Sequence, residues 1–461
     1  MDMTRGPIFV NIIKFTLPLL LTGTLQLLYN AADIVIVGRF ASENSLAAVS
    51  STGALINLIV NVFMGLSVGA SVVVAQNFGA GRDKDVSEAL HTAIAVALVG
   101  GIAVSVFGFF ASKTMLRLMD SPDNVIDLSA LYVKIYFLGV PANMLYNFGA
   151  AILRAIGDTK RPLYYLTSSG IVNVVLNLIF VIFLHMDVAG VALATIISQA
   201  ISAFLVIRCL LKSDGCIKLF ISKIRIHKDK LIKIISIGLP AGIQGSLFSI
   251  SNVIIQSSVN GFESAAMAGS GAAANIEGFI FVAMNSLHQA AITFTGQNYG
   301  AKQYRRIKTV CLECMGLVAA VGLIMGGLFR TFAPQLLSIY TDNIAEIEFG
   351  VTRMSVISLS YFMCGMMDVM VGMLRGIGHS LTPTIVSIAC VCGIRIVWIF
   401  TIFAYYKGAG HTPHECMRIL FLSYPISWLL AAMTHTLCFI VHYRGILKRA
   451  ATALPEEEKT A

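Results

Sequence analysis

Long apolar runs separated by short polar stretches follow one another along the whole chain. A helix rises about 1.5 Å per residue, so roughly 20 apolar residues cross about 30 Å of hydrocarbon. The runs are apolar on all faces and lack the alternation of barrel strands. The pattern therefore predicts an all-α polytopic membrane protein with twelve spans, at residues 12–37, 46–75, 88–112, 128–152, 161–184, 188–212, 231–259, 264–294, 308–330, 350–374, 382–405 and 418–443.

Composition and charge agree with a membrane location. The chain is 57% hydrophobic and 12% charged, which excludes an ordinary soluble protein. Its net charge of +9 is compatible with nucleic-acid binding. However, with both termini in the cytoplasm, 24 of the 33 Lys and Arg residues fall on the cytoplasmic side and 8, including Arg353, on the outer side. This excess predicts a multi-pass protein of the plasma (inner) membrane that contacts lipid and no nucleic acid.

The chain also repeats itself. QNFGAGR at 76–82 recurs as QNYGAKQ at 297–303, and ILRAIGDTKRP at 152–162 recurs as MLRGIGHSLTP at 373–383, both at an offset of 221. LPLLLTGTLQLLYN at 17–30 matches LPAGIQGSLFSISN at 239–252, at an offset of 222. Six spans separate each pair, so the two halves enter the membrane the same way round, related by a pseudo-two-fold axis along the membrane normal.

The repeat suggests a domain organisation. We expect a six-helix N-terminal lobe at 1–212, a cytoplasmic interlobe linker at 213–230, a six-helix C-terminal lobe at 231–449 and a polar tail at 450–461. Two like halves suit alternating access, because one lobe can rock against the other.

An aspartate lies in the first span, where a charged side chain costs at least about 2.5 kcal/mol. Asp33 shares a helical stripe with Gln26, Tyr29 and Asn30, which precede it by seven, four and three residues. The stripe predicts one polar face on an otherwise apolar helix.

Further oxygen-bearing side chains lie in the fifth and sixth spans. Asn173 and Asn177 are one turn apart, and Thr195 follows in the next span. With Asp33 they offer the oxygen donors that a small cation prefers, and one carboxylate also suffices to carry a proton. The alternative is a polar cluster that only holds three helices together.

The second half does not keep this pattern, since Ile255 occupies the position of Asp33. Its charged residues within spans are Glu277, Asp368 and Arg395. They are interpreted as a charge network, either a structural ion-pair cluster or a second site for a cation, a proton or a substrate charge.

The chain resembles the MATE family, the multidrug and toxic compound extrusion transporters, in its prokaryotic branch. The likeness is carried by YNAADIVIVGR, the QNFGAGR and QNYGAKQ span ends, the LRAIGD and LRGIGH turns and the IEGF stretch, and it extends from Gly6 to about Arg449. It implies a secondary antiporter in which inward Na⁺ or H⁺ drives export of organic, often cationic and lipophilic, compounds through a cleft between two lobes.

The same resemblance assigns the cation site residue by residue. It implies that Asp33, Asn173, Asn177 and Thr195 hold the coupling cation, with no other metal site and no cofactor. Some members carry an aspartate where this chain has Asn177, so the cluster here has a single carboxylate.

Other functions have weaker support. No nucleotide-binding loop or catalytic nucleophile motif is present, so neither ATP-driven transport nor an enzyme is expected. The remaining alternatives are a flippase for a lipid-linked precursor and a membrane-embedded scaffold or enzyme without transport. We expect a monomer that acts on drug-like small molecules.

Overall fold

Helices make up nearly all of the part of the chain that the computed structural model describes, which is residues 2–40, 43–118 and 125–452, without the side chains of residues 43–51, 54, 55, 57 and 58. The polar tail therefore lies mostly outside the described residues. In chain order the α-helices are α1 (Ile8–Phe40), α2 (Glu43–Gly79), α3 (Asp83–Leu118), α4 (Ile126–Ala155), α5 (Lys160–Asn177), α6 (Asp187–Lys212), α7 (Lys228–Asn260), α8 (Ser264–Gly300), α9 (Tyr304–Thr331), α10 (Ala333–Leu337), α11 (Ile344–Gly376), α12 (Leu381–Ser387), α13 (Ile394–Trp398), α14 (Ala404–Gly408) and α15 (Pro413–Thr452).

In the described part of the chain, three π-helical turns interrupt two of the membrane spans. One, Leu178–Phe183, directly follows α5. The other two, Ile388–Gly393 and Ile399–Phe403, lie on either side of α13. The fifth span is therefore Lys160–Phe183 and the eleventh is Leu381–Gly408.

Twelve helical segments of the described chain are long and apolar enough to cross a membrane, which confirms the predicted fold class. They extend beyond the apolar runs on which the prediction rested. The last span, for example, was predicted at 418–443 but its helix is Pro413–Thr452. Apolarity marks only the hydrocarbon-crossing part, whereas the backbone hydrogen bonds continue into the polar interface.

Contacts divide the chain into two compact units, each described separately. Unit 1 contains Lys14–Ser249, and unit 2 contains Met3–Ile13 and the chain from Ile250 onward. In unit 1, α4 packs against α2, α3 and α6, and in unit 2, α11 packs against α8, α9 and α15. The lobe boundaries drawn from the repeat stay a prediction, because they describe sequence halves and not contacts.

The same close contact occurs in both units. A Cβ atom on Gly101 would lie 2.7 Å from the Cα of Pro141, and one on Gly322 would lie 2.7 Å from the Cα of Phe362. Both members of the first pair match those of the second at the offset of 221. A side chain at either glycine would separate the third helix of its half from the central fourth one, so the repeat preserves packing as well as sequence.

The LRAIGD and LRGIGH motifs end the central helices. Gly157 has φ +86° and Gly378 has φ +92°, backbone angles that favour glycine. Gly157 N–H donates to Arg154 O at 2.8 Å, and Gly378 N–H donates to Arg375 O at 2.8 Å. The two motifs thus close the central helices with the same turn.

Candidate cation-binding site

Asp33 of α1 faces the asparagines of α5, as the sequence predicted for the first and fifth spans. Asn177 Nδ2 donates to Asp33 Oδ1 at 2.5 Å and also approaches Asn173 Oδ1 at 3.3 Å. Asn177 is completely buried, Asn173 is buried and Asp33 is half-buried. A carboxylate and two amides from two helices therefore form one cluster inside unit 1.

Tyr29 makes a second contact between α1 and α5. Its ring lies against Gly170, where a Cβ atom would be 1.9 Å from Tyr29 Cε2. Its hydroxyl donates to the carbonyl of Thr167 at 3.3 Å. Tyr29 thus joins the two helices about one turn before Asp33 on α1 and about two turns before Asn177 on α5.

We expect Gly170→Ala to weaken the transport that the family resemblance implies, without removing any polar group of the site. The new methyl group displaces the Tyr29 ring, and overpacking of this kind costs typically about 1–3 kcal/mol. Drug efflux measured at matched expression level should fall clearly below that of the unmodified protein. Gly316→Ala is the matched control, because Gly316 is exposed on α9 with no described atom within 4 Å of its Cβ position. Equal efflux by the two variants would show that the Tyr29 contact is unimportant.

One oxygen of the cluster lacks a partner. Asn177 Oδ1 is buried and accepts no hydrogen bond from any described residue. Buried polar atoms are normally hydrogen-bonded, so an unpaired oxygen next to a carboxylate calls for an explanation. Hard cations such as Na⁺ are held by carboxylate and amide oxygens, and the residues present fit such an ion.

The remaining predicted site residues are less closely placed. Thr195 is half-buried on α6 and its hydroxyl donates to the carbonyl of Val191 at 3.0 Å. Within the described part of the chain, no hydrogen bond joins Thr195 to Asp33. Gln26 and Asn30 are exposed, so only Tyr29 and Asp33 of the predicted stripe are shown to contact α5.

One neighbour of the site was not predicted from the sequence. Tyr132 of α4 is buried, interacts electrostatically with Asp33, and stacks on Tyr136 with ring centroids 6.3 Å apart. The repeat contained a signal for it, since Tyr132 matches Arg353 at the offset of 221. A tyrosine in one half at the position of an arginine in the other marks a polar position in both.

In unit 2, Glu277 forms an ion pair with Arg353, a residue that the charge pattern assigned to the outer side. Arg353 Nη2 and Nε donate to Glu277 Oε2 at 3.0 and 3.2 Å, and Nη1 donates to Ser270 Oγ at 3.1 Å. Both partners are buried inside the helix pair α8 and α11. Arg353 thus lies within a helix, nine residues after the start of α11, and its position on the outer side of the membrane stays a prediction.

Asp368 and Arg395 have other surroundings. The backbone carbonyl of Asp368 accepts from His288 Nδ1 at 2.5 Å, and its carboxylate interacts electrostatically with Arg375. Arg395 donates to neutral oxygens. Among the described residues no ion pair joins Glu277, Asp368 and Arg395 to one another. The prediction of one shared network is thus corrected, since Glu277 is already paired.

Comparisons with known proteins show what the chain as a whole is similar to. The family model described as MatE matches residues 18–179 and 240–401, two copies whose starts differ by the repeat offset of 222. "Probable multidrug resistance protein YoeA" of Bacillus subtilis is 30% identical over 405 residues, which is 85% of this chain and 86% of the relative. "Probable multidrug resistance protein YpnP" of the same organism is 25% identical over 412 residues, 89% and 92% of the two chains.

Solved structures share the fold. A structure described as the outward-facing conformation of a multidrug resistance MATE family transporter of the MOP superfamily has a TM-score of 0.89 at 22% identity. The match covers 97% of this chain and 98% of that one.

Proposed function

The chain belongs to the MATE family of multidrug transporters, and from that premise we propose that it is a secondary antiporter that exports organic, often cationic, compounds in exchange for a small cation. Members of this family are transporters, so the chain is not an enzyme. Drug-like compounds are the substrates of the family. Family membership does not give the coupling cation or the individual substrates, and these are what we propose.

The unpaired oxygen beside Asp33 is the observation that carries the proposal. Asn177 Oδ1 is buried and accepts no hydrogen bond from the described residues, while Asn177 Nδ2 donates to Asp33 Oδ1. Rotation of the amide group would present this oxygen to the carboxylate, an arrangement that either a bound cation or a proton on the carboxyl group would make favourable. The carboxylate and two amides supply more oxygen ligands than a proton requires, and on that ground we propose Na⁺ as the coupling ion.

Coupling follows from the competition between the amide and the cation. The Asn177–Asp33 hydrogen bond links α5 to α1, and an ion bound at Asp33 replaces it. A ligand shifts a conformational equilibrium only by its difference in affinity for the two conformations. A cation that binds better when α1 and α5 separate would thus drive the exchange between outward-open and inward-open conformations.

The excess of basic residues on one side supports an orientation with both termini in the cytoplasm of the cell, in the plasma (inner) membrane. In this orientation the cation enters from outside down its gradient, and the drug leaves. We further propose that one chain performs the whole cycle as a monomer.

The test is a vesicle assay with purified protein and a fluorescent lipophilic cation. An imposed Na⁺ gradient at equal pH on both sides should drive dye transport, and a pH gradient without Na⁺ should not. Vesicles without protein provide the background. Transport driven only by the pH gradient would assign the coupling to H⁺, and transport driven by neither gradient would contradict antiport.

A further inference from the structure

The turn between α8 and α9 repeats the backbone of the turn between α2 and α3. In the first of these turns, Gly81 has φ +66° and its N–H donates to Phe78 O at 3.1 Å. In the second, Lys302 has φ +57° and its N–H donates to Tyr299 O, also at 3.1 Å. Gly81 and Lys302 match at the offset of 221. A lysine thus adopts a left-handed conformation that favours glycine and that costs free energy for a residue with a Cβ atom.

The two turns differ in charge. The first continues as RDKD at 82–85, with two bases and two acids, and one of these acids, Asp85, pairs with Lys230. The second continues as QYRR at 303–306, with two bases and no acid. With Lys302 it carries three positive charges where the first turn has no net charge. Strained residues cluster at functional sites, so a lysine held in this conformation beside two arginines points to the binding of an anion.

The charged turn borders a cavity of about 900 Å³. The cavity lies between this turn, the start of α9 and the end of α15. The hydroxyl of Tyr443 on α15 donates to the carbonyl of Tyr304 at 3.0 Å and thereby joins the two helices. No acidic residue of the described chain lines the cavity. Its basic lining residues are Lys302, Arg305, Arg306 and Arg449.

One of the four bases is already engaged by the protein. Arg306 Nε donates to Asn298 Oδ1 at 3.2 Å, and Nη2 donates to Gly6 O at 3.2 Å. Arg306 also interacts electrostatically with Glu313, which lies further along α9 and does not line the cavity. Arg306 therefore has a structural role at the end of α8.

The other three bases remain available to a ligand. Lys302, Arg305 and Arg449 are exposed, and their side chains neither donate a hydrogen bond to a described residue nor pair with a described carboxylate. Arginine binds a phosphate group through two parallel N–H donors, and lysine binds it as a point charge. A lone phosphate ion would fill only a small part of 900 Å³, so the cavity fits a larger group that carries a phosphate.

The rest of the lining favours a lipid over a soluble anion. Ile446 and Leu447 of α15 line the cavity beside the bases, and so do Tyr299 and Tyr304, whose ring centroids are 6.1 Å apart. Tyrosines commonly lie at the level of lipid headgroups, and basic cavities at the cytoplasmic side of membrane helices bind anionic headgroups. In the proposed orientation the turn and the end of α15 lie at the cytoplasmic face, where such headgroups are present.

We propose that this cavity binds the phosphate headgroup of an anionic phospholipid of the cytoplasmic leaflet, with Lys302, Arg305 and Arg449 as its cationic ligands. The bound phosphate neutralises three charges and connects the turn before α9 to the end of α15. The cavity belongs to unit 2 and contains none of the residues of the Asp33 cluster. The inference therefore depends neither on the coupling ion nor on the exported compound.

Lipid binding to the purified full-length protein in a neutral detergent tests the proposal, with native mass spectrometry as the measurement. Phosphatidylglycerol should bind more tightly than phosphatidylcholine with the same acyl chains, and inorganic phosphate should not displace it. Lys302→Gly restores the residue of the first half and relieves the backbone, so the fold is kept. It should weaken phosphatidylglycerol binding about fivefold, the effect of one basic residue near an anionic lipid. Adding Arg305→Gln and Arg449→Gln should bring the loss to at least about thirtyfold.

The matched control combines Lys308→Gln, Arg444→Gln and Lys448→Gln. It removes the same charge from exposed positions of α9 and α15 that do not line the cavity. Because exposed charges away from the ligand are screened, phosphatidylglycerol binding should stay within about twofold of that of the unmodified protein. An equal loss in this control would assign the binding to the general surface charge and overturn the site.

Three other results would also overturn the proposal. Equal binding of the two lipids would show that the cavity does not recognise the anionic headgroup. Displacement by inorganic phosphate would make a soluble anion the ligand. The acids at 456–458 lie outside the described residues and follow α15 in the sequence. Phosphatidylglycerol binding that appeared only after their replacement by glutamine would make the end of the chain the occupant.

Discussion

Replacing Asp33 by asparagine is expected to reduce cation-driven drug efflux to the level of vesicles without protein. Asparagine has nearly the same shape, and its Oδ1 can still accept the hydrogen bond that Asn177 now donates at 2.5 Å. The variant loses the only carboxylate of the cluster, and with it the charge that attracts Na⁺ and the group that can carry a proton. Without a bound cation there is no differential affinity to shift the conformations.

The measurement is dye transport under imposed Na⁺ and pH gradients, with dye binding to the purified variant measured in parallel. Retained binding would separate a loss of coupling from a loss of folding. Asp127→Asn is the matched control, because Asp127 is an exposed carboxylate at the start of α4 that pairs with Lys113. This control should transport normally. Normal efflux by Asp33→Asn would remove Asp33 from the mechanism.

Replacing Arg353 by methionine should destabilise the protein strongly. The substitution leaves the Glu277 carboxylate buried without a counter-charge, and breaking a buried pair in this way costs about 3–5 kcal/mol. One Glu277 oxygen, Oε1, already lacks a hydrogen-bond partner among the described residues, so no neighbour is available to compensate. Unfolding of the purified protein in mixed micelles measures the change.

The double variant Glu277→Met and Arg353→Met should recover most of the lost stability, because a well-packed apolar pair often replaces a buried ion pair at little cost. Lys113→Met is the control, since the Lys113–Asp127 pair has the same chemistry at an exposed position. It should change stability little. A double variant as unstable as Arg353→Met would show that the ion pair itself, and not the unpaired charge, stabilises the fold.

Much of the architecture could be predicted from the sequence. The spans follow from apolar length, because a membrane helix must satisfy its own backbone and cover the hydrocarbon thickness. The Asp33 cluster could also be foreseen in part. Asp33 was conspicuous as a charge in a span, and Asn173 and Asn177 are one turn apart, a spacing that puts them on one helix face.

Other features depend on packing that no spacing encodes. Arg353 is close to the outer end of its apolar run, and only the contact between α8 and α11 shows that it points inward to Glu277. Tyr29 looked like part of a polar stripe, but its main contact is with a glycine on another helix. Thr195 matched the expected residue type, yet its hydroxyl is bound to its own helix.

The π-helical turn after Asn177 has a further geometric consequence. A π turn accommodates one additional residue, and each residue rotates the helix by about 100°. The side chains of Leu178–Phe183 are therefore out of register with the face that Asn173 and Asn177 define, and a helical wheel drawn over the whole fifth span would assign them to the wrong side. Arg395 lies between two such turns, so its face is shared with only the few residues of α13. Substitutions beyond a π turn can thus change which residues contact lipid while Asn173, Asn177 and Arg395 keep their orientation.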